Sequence, residues 1–318
     1  MFNRVTILLL LALAANSLTA ADSPASNSKD FNNEKNPAHQ FLDQRFGMFL
    51  HYNMATYHSA QWVPGYVDPR TFNPGVKTID TDAWADAAKA AGMTYGVLTV
   101  KHVSGFCLWD SKYTTYDVMH PECPYKKDLV AQFIKSFKSR GLKVGLYYCW
   151  RNPGFDDRVK GKFKVLPPEC DPATHSLDQQ IEFQKKQIAE LLEKYPDVFY
   201  VWNDGLDPRV MPAQQAKEFF HTLNPKLTFS CNWWDWDRKG DYYAGINVTE
   251  TYHFPENNRQ PGETCWCLEK KWFWDHGYQP KPAKDIVKQL RIANSRHANF
   301  LLNVAPDRSG QLVPESVK

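Results

Sequence analysis

The stretch FYVWNDG, residues 199–205, runs four strand-favouring residues into Asn203, Asp204 and Gly205. Side chains alternate along a strand, so Trp202 and Asp204 face the same way. A carboxylate at a strand tip can serve as nucleophile, general base, metal ligand or cap of the next helix. Two histidines close comparable runs: FGMFLHY brings the chain to His51, and YGVLTVKH to His102. Glycoside chemistry needs a second carboxyl group, because one must attack or activate water while the other protonates the departing oxygen. Three glutamates lie downstream: Glu250 in TETYHF, Glu256 in FPENN and Glu263 in PGETCW. Each is also compatible with an ordinary surface position. Glu263 sits in a Gly/Pro-led, aromatic-flanked stretch that reads as a pocket rim, where desolvation raises a carboxyl pKa as an acid catalyst requires.

Other chemistries fit less well. His51, His102 and Asp204 outline a metal-dependent hydrolase, but no H-x-H or H-E-x-x-H spacing supports them. Hydrogen bonding to sugar hydroxyls is the better use of the histidines, and neither metal nor organic cofactor is expected. No G-x-S-x-G is present, which argues against a serine hydrolase.

These residues need a scaffold that gathers strand ends. Apolar runs at 46–52, 95–102, 143–150, 198–202, 227–233, 246–252 and 300–306 alternate with helical patterns at 81–92, 128–141, 176–195, near 213–223 and near 283–296. Continuous apolar strands between helices predict a parallel sheet covered by helices. An open doubly wound sheet and a (β/α)8 barrel both satisfy that rhythm. The barrel is favoured: no Gly-rich phosphate turn follows the first strand, and His51, His102, Tyr148 or Trp150, Asp204, Trp233 and Glu250 all stand at strand tips. The C-terminal end of such a barrel is where active sites are built. The expectation is a single α/β domain, a (β/α)8 TIM-like barrel over 41–318.

The 318 residues carry a formal net charge of +3 with no basic stripe, which argues against nucleic acid. Eleven Trp and fifteen Tyr suit either an aromatic core or a pocket for ligands with one apolar face. Arg4, an apolar run over 5–15 and small residues at 20–21 form a secretory signal peptide over 1–20, followed by a polar, flexible lead-in over 21–40. The mature protein is expected to be exported, periplasmic or extracellular, without membrane insertion. Seven cysteines leave an odd one, and Cys107 and Cys149, in apolar surroundings, read as small buried hydrophobes.

Taken in order, FGMFLHY, QWVPGYVDPRTFNP, the block TDAWADAAKAAGMTYGVLTVKHVSGFCLWDSKYTTYDV, GLKVGLYYCW, YPDVFYVWNDG, GETCW and NFLLNVAPDRSGQLVPE resemble the catalytic domain of glycoside hydrolase family 29, the retaining α-L-fucosidases. The resemblance implies that Asp204 is the nucleophile and Trp202 a pocket wall. It implies that His51, His102, Trp62 and either Tyr147 or Tyr148 contact the sugar. GETC is similar to the W-E-T-C form around the family's acid/base, which implies Glu263 in that role, with Glu256 second. The implied substrate is a terminal α-L-fucosyl residue on a glycan. Two departures stand out: Gln61 and Val103 occupy positions where the family shows a glutamate and a histidine. They make a related α-L-sugar an alternative substrate. A catalytically inactive sugar-binding protein is the other alternative, distinguished by whether any glutamate shares a pocket with Asp204. The chain ends at VPESVK, just after the last predicted strand, so the last barrel helix is expected to be cut short and no C-terminal β-sandwich is expected.

Overall fold

Valine, leucine and aromatic residues dominate the predicted strands without strict polar alternation, so both faces of the sheet must be covered. The computed structural model, which describes residues 37–63, 65–151, 173–206, 210–231, 245–277 and 279–317, meets that demand by closing the sheet. Among these residues, eight parallel strands form the barrel in chain order: β1 (Phe46–Leu50), β2 (Tyr95–Lys101), β3 (Lys143–Cys149), β4 (Val198–Asp204), β5 (Thr228–Cys231), β6 (Gly245–Glu250), β7 (Gly262–Cys267) and β8 (Ala298–Asn303). The last pairs with the first, with Phe46 opposite Phe300 and Phe49 opposite Asn303.

Helices cover the outside. Between β1 and β2 lie α2 (Met54–His58) and α3 (Thr81–Ala90), after α1 (Pro37–Leu42) at the start. Then come α4 (Leu129–Ser139), α5 (Leu177–Lys194), α6 (Ala213–Leu223) and α7 (Ala283–Ser295). Side-chain caps fix several of their starts: Asp80 accepts from Ala83 N, Asp128 from Ala131 N, and Ser176 with Gln179 forms a reciprocal capping box on α5. None of the described helices is long and apolar enough to cross a membrane.

Alternation along the strands divides the core in two. Leu98, Val100, Val144, Leu146, Tyr148, Val201 and Leu302 point outward into the layer beneath the helices. Phe49, Val97, Tyr147, Tyr200, Trp202, Val248 and Leu301 fill the barrel. The N-terminal end is plugged by α1, whose Phe41 ring lies 4.6 Å from that of Tyr200 and 5.8 Å from that of Tyr95. This corrects the expected lead-in over 21–40: residues 37–40 are helical, because Ala38 and Phe41 find apolar cover under the barrel. The expected signal peptide and the earlier part of the lead-in lie outside the described residues.

The strand β7 was not foreseen. GETCWC opens on glycine and glutamate, a poor strand signature, yet its backbone pairs with both β6 and β8. Only the loop 251–261 joins β6 to β7, so this connection lacks the helical spacer that α7 supplies between β7 and β8. One irregularity also matters: the register of β2 on β3 slips between Thr99 and Lys101. The slip lets Val100 and Lys101 both turn outward, where Lys101 Nζ donates to Tyr148 Oη at 2.9 Å, and brings His102 into the barrel mouth.

Since Phe41 is buried among three aromatic rings, Phe41→Ala should lower the unfolding free energy by about 3–5 kcal/mol. Chemical denaturation of the two proteins measures this, and a loss below about 1 kcal/mol would show that α1 is not part of the core.

Candidate active site

The inward positions nearest the C-terminal ends of the strands converge on one pocket. Phe49, His51, Gln61, Trp62, His102, Tyr147, Arg151, Trp202, Asp204, Glu250 and Trp272 line it. Asp204 is the last residue of β4 and shares a face with Trp202 and Tyr200, as alternation requires. The helix-cap reading of Asp204 does not survive, since α6 begins after Pro212 and its cap carries no side-chain bond. Instead the carboxylate is gripped from β3. Tyr147 Oη donates to Oδ2 at 2.6 Å, the Cys149 thiol lies 3.6 Å from the same oxygen, and Arg151 Nε donates to Oδ1 at 2.9 Å.

Burial alone would push the Asp204 carboxyl up. The Arg151 charge, the Tyr147 hydroxyl and nearby His102 outweigh it and hold the group down at about 2. Asp204 is therefore ionised throughout the neutral and mildly acidic range. Burial acts in the other direction on the histidines: His51 is pushed down to about 3, aided by His102, and His102 to about 4 despite Asp204. Both rings are neutral at neutral pH. Asn303 Nδ2 donates to the Trp272 carbonyl at 2.7 Å, which turns its Oδ1 toward His51 Nδ1, also at 2.7 Å. The proton must then sit on Nδ1, leaving Nε2 as an acceptor suited to a hydroxyl.

The walls are aromatic. Tyr147 and Trp202 stack at 5.2 Å, Phe49 meets Trp202 at 5.5 Å, and Trp272 meets His51 at 5.1 Å. Trp62, 42% exposed, stands at the rim with the Arg151 guanidinium 5.1 Å from its ring centre. Apolar walls with a few fixed polar groups suit a small amphipathic ligand such as a sugar.

Of the expected sugar contacts, His51, His102, Trp62, Tyr147 and Trp202 all line the pocket, whereas Tyr148 does not. Tyr148 is the outward neighbour of Tyr147 on β3, and its hydroxyl donates to Gln187 of α5 at 2.8 Å. Of the glutamates, the two chosen for the acid/base role are the two that the fold keeps away. Glu263 is fully buried near the N-terminal end of β7, with Tyr95 Oη 2.5 Å from one carboxyl oxygen and Tyr200 Oη 2.9 Å from the other. Glu256 lies in the loop leading back to the N-terminal end, an exposed side chain beside Arg296. Glu250, at the end of β6, is the glutamate in the pocket. GETC forms no pocket rim because it is part of a strand that starts at the opposite end of the barrel.

Gln61 lines the pocket but is tied to the loop beneath it: its Oε1 accepts from Trp272 N at 2.6 Å and Phe273 N at 3.3 Å. Val103 is buried in the inner apolar cluster and is not a lining residue. Trp233 lies outside the described residues. Among the described residues no three of His, Cys, Asp and Glu come together to hold a metal, and Cys107, Cys123, Cys149, Cys265 and Cys267 are buried. Cys149, Arg151 and Trp272 were missed as site residues. A signal for the first two was present, since Tyr147, Cys149 and Arg151 keep the two-residue period of one strand face.

A carboxylate-bearing aromatic pocket at the C-terminal mouth of a (β/α)8 barrel defines the class, a barrel that keeps its site on the strand-tip loops. The chain belongs to the alpha-L-fucosidase family, whose model matches residues 12–318. It is 29% identical over 319 residues to alpha-L-fucosidase 1 of Arabidopsis thaliana, covering 89% of this chain and 58% of that protein. It is 30% identical over 312 residues to the plasma alpha-L-fucosidase of Pongo abelii, covering 86% of this chain and 64% of that one. The chain thus spans less than two thirds of the length of these relatives. Alpha-L-fucosidase isoenzyme 1 from Paenibacillus thiaminolyticus superposes with a TM-score of 0.71 at 26% identity, over 89% of this chain and 73% of that chain. A Bacteroides thetaiotaomicron family 29 alpha-L-fucosidase, trapped as a covalent intermediate with 2-fluoro-fucosyl fluoride, shares the fold at a TM-score of 0.68 and 23% identity, over 88% of this chain and 72% of that chain.

The buried Glu263 gives a pH signature distinct from catalysis. Burial raises its carboxyl to about 7, with the two tyrosine hydroxyls opposing only in part. A raised folded-state value means that its contribution to stability is fully present below about 4.5 and is lost as pH climbs through about 7. Glu263→Gln should therefore flatten the decline of thermal stability between pH 5 and 8, a difference on the order of 2 kcal/mol, in melts across that range. An unchanged slope would show that the buried carboxyl does not titrate as described.

Proposed function

We propose that the protein is a retaining exo-glycosidase that removes terminal α-L-fucosyl residues from glycans. The observation that carries this is the presence of Asp204 and Glu250 on one aromatic pocket in a chain of the alpha-L-fucosidase family. Asp204, held ionised, attacks the anomeric carbon as the glycosidic bond breaks, and Glu250 gives its proton to the departing oxygen. A water then attacks the same carbon and passes a proton to Glu250, and the bond to Asp204 breaks, returning the electron pair to the carboxylate. His51 and His102, both neutral, fix sugar hydroxyls, and the faces of Phe49, Trp202 and Trp272 receive the sugar's C–H face and methyl group.

The assignment of the acid/base to Glu250, in place of Glu263 or Glu256, is part of this proposal. Its place on the same pocket as Asp204 also weighs against an inactive sugar-binding reading. A second substrate reading keeps one support: Gln61 is engaged by the 272–273 backbone. An L-sugar other than fucose then remains the alternative, and parallel assays on aryl α-L-fucoside, α-L-galactoside and α-L-glucoside distinguish them. We further propose that the chain is exported by residues 1–20, acting in the periplasm or outside the cell. No metal or organic cofactor has a role in this scheme.

Asp204→Ala should abolish nearly all turnover of an aryl α-L-fucoside. Glu250→Gln should slow hydrolysis of a natural fucosyl linkage by roughly 10²–10⁴-fold while sparing activated aryl fucosides in the first step. Glu263→Gln should stay within a few-fold of wild type. Kinetics on the three variants decide the assignment, and wild-type-like turnover by Asp204→Ala, or a reversed order for Glu250 and Glu263, would overturn it.

A further inference from the structure

From the contacts of Arg151 with Asp204 we infer that Arg151 is a positioning residue that speeds release of the glycosyl-enzyme, by holding beside the nucleophile a countercharge that attracts the free carboxylate more strongly than its ester. The inference rests on the proposed retaining mechanism. It starts from the two-residue period on β3 and its continuation, which sends Tyr147, Cys149 and Arg151 to one carboxylate. Tyr147 and Cys149 are neutral donors at Oδ2, whereas Arg151 brings a full charge to Oδ1. Arg151 and Asp204 side chains are only 9% and 10% exposed, so little water screens the pair.

The backbone is shaped for this approach. Gly205 has φ +72°, and a Cβ there would collide with Arg151 Cγ and press on its backbone nitrogen at 3.1 Å. The Trp150 amide also donates to the Asp204 carbonyl at 2.7 Å, tying the arginine's own segment to the end of β4. On its other side the guanidinium faces the Trp62 ring, an aromatic neighbour that stabilises a cation but cannot neutralise it.

The consequence follows from charge at each stage. In the free enzyme Asp204 is an anion and the pair is neutral as a unit. In the glycosyl-enzyme Asp204 is an ester, so at that position the buried guanidinium faces an uncharged carbonyl and its attraction to Asp204 is weakened. As water attacks and the bond between the anomeric carbon and the Asp204 oxygen breaks, negative charge returns to the carboxylate and the ion pair is restored. Arg151 keeps its protons throughout. It therefore makes Asp204 a weaker nucleophile but a better leaving group, and it raises the covalent intermediate relative to both of its exits. Uniform structural support would not divide the two steps this way.

The test uses the full-length enzyme as wild type, Arg151→Gln and Arg151→Lys, with an aryl α-L-fucoside of good leaving ability, followed by stopped flow. Arg151→Gln should show a burst of about one phenol per active site, with kcat down about tenfold or more and KM falling in parallel, so that kcat/KM changes little. Azide should speed its turnover and give fucosyl azide. Arg151→Lys, which keeps the charge, should lose the burst and recover most of kcat. Equal falls in kcat and kcat/KM with no burst and no effect of azide, in variants still labelled at Asp204 by 2-fluoro-fucosyl fluoride, would overturn the role of Arg151 alone. Labelling elsewhere than Asp204 in the wild type would overturn it together with the proposed mechanism.

Discussion

The barrel mouth is organised around a carboxylate that must stay charged with little water beside it. Isolated in such a place, Asp204 would take up a proton; the neighbouring guanidinium and tyrosine hydroxyl prevent that. Tyr147 comes from β3 and Arg151 from the segment just after it, and the pairing of β3 with β4 puts Cys149 level with Asp204. The strand register is thus also the electrostatic design. A slip of one residue would turn Tyr147 outward and aim Tyr148 at the carboxylate, and the arginine would lose its approach over Gly205.

The same alternation sorts the other carboxyl groups by height. Inward positions near the N-terminal end carry Tyr95, Tyr200 and Glu263, closed from below by Phe41. Inward positions near the C-terminal end carry Asp204 and Glu250, open to the pocket. Two glutamates on adjacent strands therefore meet different fates. One is a desolvated acid satisfied by phenols, and the other lines the open pocket. Chemistry at the top depends on packing below, because the buried layer fixes the strand ends.

Much of this was legible in the sequence. The repeated strand–helix rhythm specified a parallel sheet, and the strand-tip residues His51, His102 and Asp204 favoured its closure into a barrel and pointed to the site, because apolar runs and their ends are local signals. Trp202 followed from alternation with Asp204. What failed was long-range or short of pattern. Strand β7 begins with Gly262 and Glu263 and gains its place only by pairing with β6 and β8, so Glu263 was taken for a rim residue. The choice between Tyr147 and Tyr148 turns on which face of β3 points inward, which a continuous apolar run does not reveal. Arg151 was passed over because its partner lies 53 residues away.

The central claim is that Asp204, clasped from β3, is the group that bonds to the sugar. Incubation with 2-fluoro-fucosyl fluoride, proteolysis and mass spectrometry test it most directly. One label per chain is expected, on the peptide containing Asp204, lost when that residue is changed to Ala. A label on Glu250 or Glu263, or time-dependent inactivation that persists in Asp204→Ala, would contradict it.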